Sequence, residues 1–353
     1  MEAKKLIKYL VLIISLISIC TACNNKVKEI NSNVELPKYS EVTVLKNLNN
    51  NFDAYQAKPD GLYKIGSQIG NISEMAYSTT GKSIAQAVVL SQGENLNNNF
   101  INIFRNNKLI VLNNYYYYQD LKMNNSGNFL AFRGYMEDSL DSAQGLKIFN
   151  IDTREIVNTK SKVLVSGNVY NWIDDNSILY YGIIPGKENS IKIYKYNLAD
   201  KREEIYCENI NGTCLFLLPV KEDVIYLKSQ VESAEIDYFN YKKKSNTVVS
   251  TEISMIYNAK YNKLTDEVYF TGKADKDSSA ALYKISMKTL KVSRITYNFP
   301  ENIDINSEIC VDALGNVFFT GSNAVFMYDY RDKSVNMIST STGEYKLYGG
   351  VTN

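Results

Sequence analysis

Asn124-Asn125-Ser126-Gly127-Asn128-Phe129-Leu130-Ala131-Phe132 joins a tight polar turn to an apolar, aromatic strand, and the chain repeats this junction six times. The turns of the six copies lie at residues 78–82, 124–128, 174–177, 221–223, 265–267 and 313–316. Equivalent turn positions are Gly81, Gly127, Asn176, Glu222, Asp266 and Gly315. Their spacing of roughly 44 to 49 residues is the period of a four-stranded propeller blade.

The repeat predicts an all-β fold, a single β-propeller of six four-stranded blades. Residues 41–70 contain further apolar strands, and 345–351 form one more. Because an open edge strand invites aggregation, we expect the N-terminal segment to take part in closing the ring. If 41–70 and 345–351 build one blade jointly, the count becomes seven.

The first residues predict export. Lys4, Lys5 and Lys8 precede an apolar run at 10–19, and small residues follow it, the composition of a secretory signal peptide. Thr21-Ala22-Cys23 resembles a bacterial lipobox, although Cys20 stands where Leu is usual. The resemblance implies that Cys23 carries a diacylglycerol and becomes the first mature residue. The alternative is a plain signal cut near Ala22, which leaves Cys23 as a free thiol.

Three segments follow from this pattern. Residues 1–22 are the lipoprotein signal peptide, 23–40 are a polar, flexible tether that begins at the lipidated Cys23, and 41–353 are the propeller. The predicted location is the cell membrane, with the protein lipid-anchored on the outer, extracytoplasmic face. The membrane is then contacted through the lipid anchor alone.

Charge and composition exclude several classes of function. The full chain has a net charge of +1, with 39 basic and 38 acidic residues. A clustered basic surface is what nucleic acid requires, so we predict no nucleic-acid partner. Histidine is absent, which removes Ser-His-Asp and Cys-His arrangements and the commonest metal ligand. We predict no catalytic residues, no metal and no cofactor.

The remaining cysteines suggest structure rather than chemistry. Cys207 and Cys214 flank a short connection between blades, and outside the cytoplasm a disulfide would staple it. The alternative is a pair of ordinary buried thiols. Cys310, Trp172 and the run of tyrosines at 115–118 are predicted to pack inside the fold.

The turn and strand at 78–85 and 125–132, with Leu146-Lys147-Ile148-Phe149-Asn150-Ile151 after them, resemble TolB-type, WD-like β-propeller repeats. The Pro and Asp of the family's Ser-Pro-Asp-Gly-Lys turn are missing here. The resemblance covers about 70–340 and implies a fold that serves in binding proteins, scaffolds and peptidase lids. A peptidase is not predicted, because the chain has neither a Gly-x-Ser-x-Gly elbow nor a histidine.

Acidic residues recur in five successive connections between the second and third strands of the blades. They are Glu94, Glu137, Asp138, Asp141, Glu188, Glu232, Glu235, Asp275 and Asp277. In a ring we expect them to form an acidic rim that docks a basic partner. The alternative is ordinary solvated loop charge. Residues 275–278 lack the rest of a calcium loop, so the rim is not predicted to bind metal.

These features together predict a non-catalytic, extracytoplasmic module that binds an envelope or surface protein. Two rival functions use the central channel instead. One is a carbohydrate-active enzyme, which would need two carboxylates facing each other across a cleft. The other is a small-ligand sensor with an open channel. A glycan partner is therefore the alternative to a protein partner.

Overall fold

The structure, a computed structural model, is a seven-bladed β-propeller. It describes residues 28–30, 42–48, 51–80, 82–106, 108–230, 233–275, 277 and 279–349. Seven antiparallel sheets stand around an axis, and in each blade strand A is innermost and strand D outermost. The predicted architecture is confirmed, and the count of six is corrected to seven.

Six blades follow one another along the chain, and their strands A to D lie at the following positions. Blade one has Asn71–Tyr77, Ser83–Ser91, Asn98–Arg105 and Lys108–Leu112. Blade two has Tyr117–Met123, Phe129–Tyr135, Ala143–Asn150 and Glu155–Ile156. Blade three has Leu164–Trp172, Ser177–Ile183, Lys192–Asn197 and Arg202–Cys207. Blade four has Thr213–Val220, Asp223–Ser229, Ala234–Asn240 and Ser245–Ser250. Blade five has Ile253–Asn262, Glu267–Ala274, Ala281–Ser286 and Val292–Arg294. Blade six has Cys310–Val311, Val317–Thr320, Val325–Asp329 and Ser334–Met337.

Blade seven joins the two ends of the chain, which is why a count of turns along the sequence misses it. Its strands A to D are Tyr345–Gly349, Val42–Asn47, Asn51–Lys58 and Gly61–Ile69. Val44 pairs with Leu347 in an antiparallel register, and both side chains are fully buried. The joint use of residues 41–70 and 345–351 is therefore confirmed as the closure of the ring.

One short strand lies inside the segment predicted to be a free tether. Lys28–Ile30 pairs with strand D of blade one, in the register Lys28 with Val111 and Ile30 with Leu109. Through this pairing the chain adds a fifth strand to that blade, inside the segment 23–40 that the sequence predicts as a tether. Unpaired backbone groups on an outermost strand favour such an addition.

A recurring polar residue ends strand C and builds the turn to strand D. The side-chain oxygens of Asn150, Asn197, Asn240 and Asp329 accept hydrogen bonds from turn amides two or three residues later. Such Asx turns let a short hairpin close without a glycine. The residue just before strand D is then left-handed, at Arg154, Lys201, Lys244 and Lys333.

The core consists of aromatic and aliphatic layers between neighbouring blades. Tyr118, Tyr170, Tyr226 and Tyr269 are at most 1% exposed. Within the 115–118 run, Tyr115 and Tyr118 pack edge to face at 5.4 Å between ring centroids. Cys310 is fully buried. The predicted packing roles of these residues are confirmed.

Candidate functional site

Strand direction divides the connections of the propeller between two faces. Strand A runs from the D–A connection to the A–B turn, and each later strand reverses direction. The B–C and D–A connections therefore share one face, which we name the acidic face. The A–B and C–D turns share the opposite face, which we name the turn face.

Contacts between neighbouring blades support this division. On the acidic face, the Asp138 carboxylate of blade two accepts hydrogen bonds from the amides of Glu94, Asn95 and Leu96 in blade one. On the turn face, Lys221 forms an ion pair with Asp266 of the next blade at 2.9 Å. Loops of the same class thus meet their counterparts around the ring.

Carboxylates dominate the acidic face. Its described connections carry thirteen carboxylates against three lysines, which are Lys160, Lys162 and Lys187. The carboxylates are Glu94, Glu137, Asp138, Asp141, Glu188, Glu208, Glu252, Asp275, Asp277, Glu301, Asp304, Glu308 and Glu344. The near-zero net charge of the chain conceals this concentration on one side.

The turn face has the opposite balance. Its described connections carry twelve basic residues against nine acidic ones. The basic residues are Lys82, Arg154, Lys201, Lys221, Lys242, Lys243, Lys244, Lys263, Lys288, Lys291, Arg331 and Lys333. The two faces of the propeller therefore differ in net charge, and an approaching charged partner experiences a different electrostatic field at each face.

The predicted rim residues fall into two groups. Five of them are exposed: Glu94, Glu137, Asp141, Glu188 and Asp275. Three are engaged within the chain. Asp138 holds the blade-one loop, Glu235 pairs with Lys228 at 3.0 Å, and Asp277 pairs with Arg294 at 2.8 Å. Glu232 lies outside the described residues.

The structure also changes where the acidic charge lies. B–C connections join the second and third strands, so they stand away from the axis and spread over the face rather than circling the channel mouth. Acidic residues in the D–A connections were missed by the sequence analysis, which followed B–C connections alone. The sequence feature that could have identified them is their position shortly before strand A of the next blade.

Exposed apolar side chains accompany this charge. Eleven large ones lie in the connections or at the adjoining strand ends of the acidic face: Leu48, Leu90, Met136, Leu140, Ile156, Leu164, Ile183, Ile191, Tyr297, Ile305 and Met337. The described turn-face connections hold Leu264 and Leu314. Apolar side chains among charged ones are typical of surfaces that bind proteins.

The second site is the central channel, a cavity of 410 Å³ lined mainly by strand A of six blades and by Glu308 and Ile309, which directly precede strand A of blade six. Its charged residues are Glu74, Asp120, Lys122, Lys260 and Glu308. Glu74, Asp120 and Glu308 each stand four residues before the polar residue that opens their A–B turn, while the two lysines stand two before it. The lysines therefore lie one pleat nearer the turn face than the carboxylates.

Glu74 and Asp120 lie on neighbouring blades. The Glu74 carboxylate accepts a hydrogen bond from the Leu121 amide at 2.7 Å, beside Asp120. Burial among the inner strands, reinforced by the negative charge of Asp120, raises the pKa of Glu74 to about 8. The carboxylate of Asp120 is held by the guanidinium of Arg133 at 2.5 Å.

The two lysines differ in their partners. Lys122 donates hydrogen bonds to the carbonyl oxygens of Tyr170 at 2.5 Å and Asn168 at 3.4 Å. Burial lowers its pKa to about 8. Lys260 stands 4.0 Å from Glu308, and both side chains are more than a third exposed to the channel. Burial raises the pKa of Glu308, and the charges of Lys260 and Lys122 oppose that rise.

Trp172 borders the channel beside these groups. Its indole nitrogen donates to the carbonyl oxygen of Lys122 at 2.8 Å, and its ring stacks on Phe129 at 6.1 Å between centroids. It is 9% exposed. The predicted packing role is therefore confirmed, although the same residue lines the cavity.

Cys207 and Cys214 are free thiols buried in one cluster between blades three and four. Cys214 donates to the carbonyl oxygen of Phe216 at 3.3 Å, and Cys207 contacts the side-chain oxygen of Asn246 at 3.9 Å. Burial raises the pKa of Cys207 to about 11 and of Cys214 to about 12. The suggested disulfide is not present in this structure.

Two further features are absent from the described residues. No group of three or more Cys, Asp or Glu side chains there could hold a metal ion. No helix in that part of the chain is long and apolar enough to cross a membrane. The signal segment and Cys23 lie outside the described residues.

Comparison with known proteins identifies the fold alone. No family model and no curated protein matches the chain. Among solved structures, it is similar to TolB from Acinetobacter baumannii, with a TM-score of 0.50, 10% identity, and coverage of 90% of this chain and 89% of that one. It is also similar to an oligogalacturonate lyase from Vibrio parahaemolyticus. The TM-score is 0.54 at 10% identity, and the match covers 89% of this chain and 86% of the lyase. A third similar structure is dipeptidyl peptidase 4 from Porphyromonas gingivalis, with a TM-score of 0.51 at 13% identity. The match covers 82% of this chain and 52% of the peptidase, so the chain spans about half of that protein. These similarities show that a β-propeller fold like that of TolB extends over most of the chain.

Proposed function

We propose that this protein is a non-catalytic binding module of the cell envelope, held to the outer face of the membrane by a lipid on Cys23. Its acidic face binds a protein that presents a basic surface. The observation that carries this proposal is the thirteen-to-three excess of carboxylates over lysines in the described connections of that face.

Electrostatic steering of the partner and burial of apolar side chains both support this proposal. A one-signed face raises the rate at which an oppositely charged partner arrives and orients it before contact. The exposed apolar side chains among the carboxylates, such as Met136, Leu140 and Tyr297, then supply area that can be buried in the complex. The turn face has neither feature to the same degree.

The lipid anchor is supported by the sequence before Cys23. Strand Lys28–Ile30 begins five residues after that cysteine. Five extended residues span at most about 18 Å. The anchor therefore keeps the outer edge of blade one close to the membrane, while the ring stays in the aqueous space beside it.

A carbohydrate-active enzyme is the second candidate, because Glu74, Asp120 and Glu308 share the channel. A carboxyl group with a raised pKa, such as Glu74, is a common feature of a general acid. If this candidate is right, the purified protein cleaves a glycan and Glu74→Gln abolishes turnover while leaving binding intact. The absence of turnover across neutral and acidic glycans removes this candidate.

Crosslinking in intact cells tests the binding proposal. One variant neutralises the five exposed rim residues, with Glu94→Gln, Glu137→Gln, Asp141→Asn, Glu188→Gln and Asp275→Asn. The matched control neutralises five exposed acids of the turn face, Asp152, Asp174, Asp200, Glu222 and Asp332. We expect the first variant to lose a specific crosslinked envelope protein that the wild type and the control both capture. Equal capture by the first variant would show that the acidic face is not the docking surface.

A further inference from the structure

The central channel extends to the turn face. Thr79 and Asn125, which belong to A–B turns, border the same 410 Å³ cavity as the charged side chains. A volume within about 300–1,000 Å³ is typical of small-molecule sites. The cavity therefore reaches the face opposite the acidic face, although Glu308, in a D–A connection, also lines it.

Every charged side chain of the channel already has a partner. Asp120 pairs with Arg133, and Glu308 stands 4.0 Å from Lys260. Glu74 accepts a hydrogen bond from the Leu121 amide, and Lys122 donates hydrogen bonds to two carbonyl oxygens. Two ion pairs, Arg133 with Asp120 and Lys260 with Glu308, balance four of these charges, and burial favours the uncharged forms of Glu74 and Lys122. An ionic ligand would bring a charge that has no counter-charge in the site, and this is costly in an enclosed space.

The uncharged part of the lining combines aliphatic side chains with amides and aromatic rings. Asn125, Asn168 and Asn171 lie on the wall together with Tyr257 and Trp172. An amide both donates and accepts hydrogen bonds, and a hydroxyl group does the same. Carboxylates accept and lysines donate, so a ligand bearing many hydroxyl groups matches every polar group present. Aromatic rings offer apolar faces to the CH faces of such a ligand.

We propose that the central channel is a binding site for a small, uncharged, hydroxyl-rich ligand of the carbohydrate class, which enters from the turn face. Lys260 is the donor that a ligand can reach, because it lies 4.0 Å from Glu308 and its side chain is more than a third exposed. The cavity lining contains none of the five rim acids that test the protein-binding face, so either proposal can fail alone.

The chain carries its own reporter for this test. Trp172 is the one tryptophan of the sequence and it borders the cavity. Its fluorescence is measured while the purified protein is titrated, up to about 10 mM, with three sugars of one ring type: glucose, glucuronate and glucosamine. N-acetylglucosamine and β-linked neutral disaccharides complete the set. Calorimetry on the same samples detects binding that leaves the indole unchanged.

We expect a saturable response to at least one neutral sugar, and binding at least about tenfold weaker for the charged sugars of the same ring. Lys260→Gln should weaken binding about tenfold, the loss of a hydrogen bond to a charged group. The matched control Lys263→Gln, in the A–B turn, should leave binding unchanged. No saturable binding of any neutral sugar by either method, or tighter binding of a charged one, overturns the proposal.

Discussion

The carboxylate of Glu74 in blade one accepts a hydrogen bond from the amide of Leu121 in blade two, at 2.7 Å. The contact fixes a titratable side chain against the wall of the channel, beside Asp120. Burial raises the pKa of Glu74 from 4.5 to about 8, and burial lowers that of Lys122 from 10.5 to about 8. Both residues hold their less charged forms more readily than they would in water.

The first prediction is a minimum of stability near pH 8. For Glu74 the folded state binds more protons than the unfolded state between pH 4.5 and 8, so its contribution is lost as pH rises through that window. For Lys122 the unfolded state binds more protons between pH 8 and 10.5, so stability increases with pH there.

Urea unfolding across pH 5 to 10 measures this effect. Glu74→Gln should flatten the fall below pH 8, and Lys122→Met should flatten the rise above it. Glu94→Gln, on the exposed acidic face, serves as the control with an unchanged profile. A wild-type slope that persists in Glu74→Gln would show that other groups are responsible.

A second prediction concerns ring closure. Leu347 lies in the innermost strand of blade seven, is fully buried, and pairs with Val44 near the other end of the chain. Leu347→Ala should cost about 2–5 kcal/mol of the free energy of unfolding, because it leaves a cavity in the closing blade. Lys346→Ala, one residue away and half-buried, should change it by less than about 0.5 kcal/mol. Equal effects of the two changes in denaturant unfolding would argue against closure through this strand.

The third prediction assigns Asp138 a structural role. Its carboxylate accepts three amide hydrogen bonds from the blade-one loop, and those from Leu96, Glu94 and Asn95 keep its pKa below the usual value. Gly93 is required there, since a Cβ would lie 2.6 Å from an Asp138 oxygen. Asp138→Ala should speed hydrogen exchange at these amides about tenfold or more, whereas Glu137→Ala should not. Unchanged exchange in Asp138→Ala would contradict the role.

The fourth prediction concerns the anchor. Cys23→Ser should abolish incorporation of labelled fatty acid and release the protein from the membrane fraction, because a covalent lipid supplies the membrane affinity. Cys207→Ser leaves the anchor site intact and is the control. Continued labelling of Cys23→Ser would show that the lipid is attached to another residue.

Local features of the fold were predictable from the sequence because they repeat. The Asx residues that end strand C, such as Asn150 and Asn197, recur in sequence and build the same turn each time. Blade seven could be stated only as an alternative, because its innermost strand lies almost 300 residues from its second strand. The strand at Lys28–Ile30 was missed because a segment of three residues is too short to show a hydrophobic period.

The candidate sites were less predictable for a geometric reason. Glu74 and Lys122 lie on strand A of two blades, and Glu308 lies just before strand A of a third, so only ring closure brings them into one channel. The sidedness of the charge follows from strand direction, so the D–A acids such as Glu252 and Glu344 could have been assigned from the repeat. The partners of Asp138, Glu235 and Asp277 could not, because they depend on side-chain contacts across strands and blades.

The most direct test of the central claim places a photo-crosslinking amino acid on each face in intact cells. One variant carries it at Leu140 on the acidic face and the other at Leu264 on the turn face, since both side chains are more than 60% exposed. The account predicts one discrete protein adduct from position 140, identified by mass spectrometry as a protein with a basic surface and lost when the five rim acids are neutralised. An adduct of the same protein from position 264, or its persistence in the neutralised variant, would contradict docking through the acidic face.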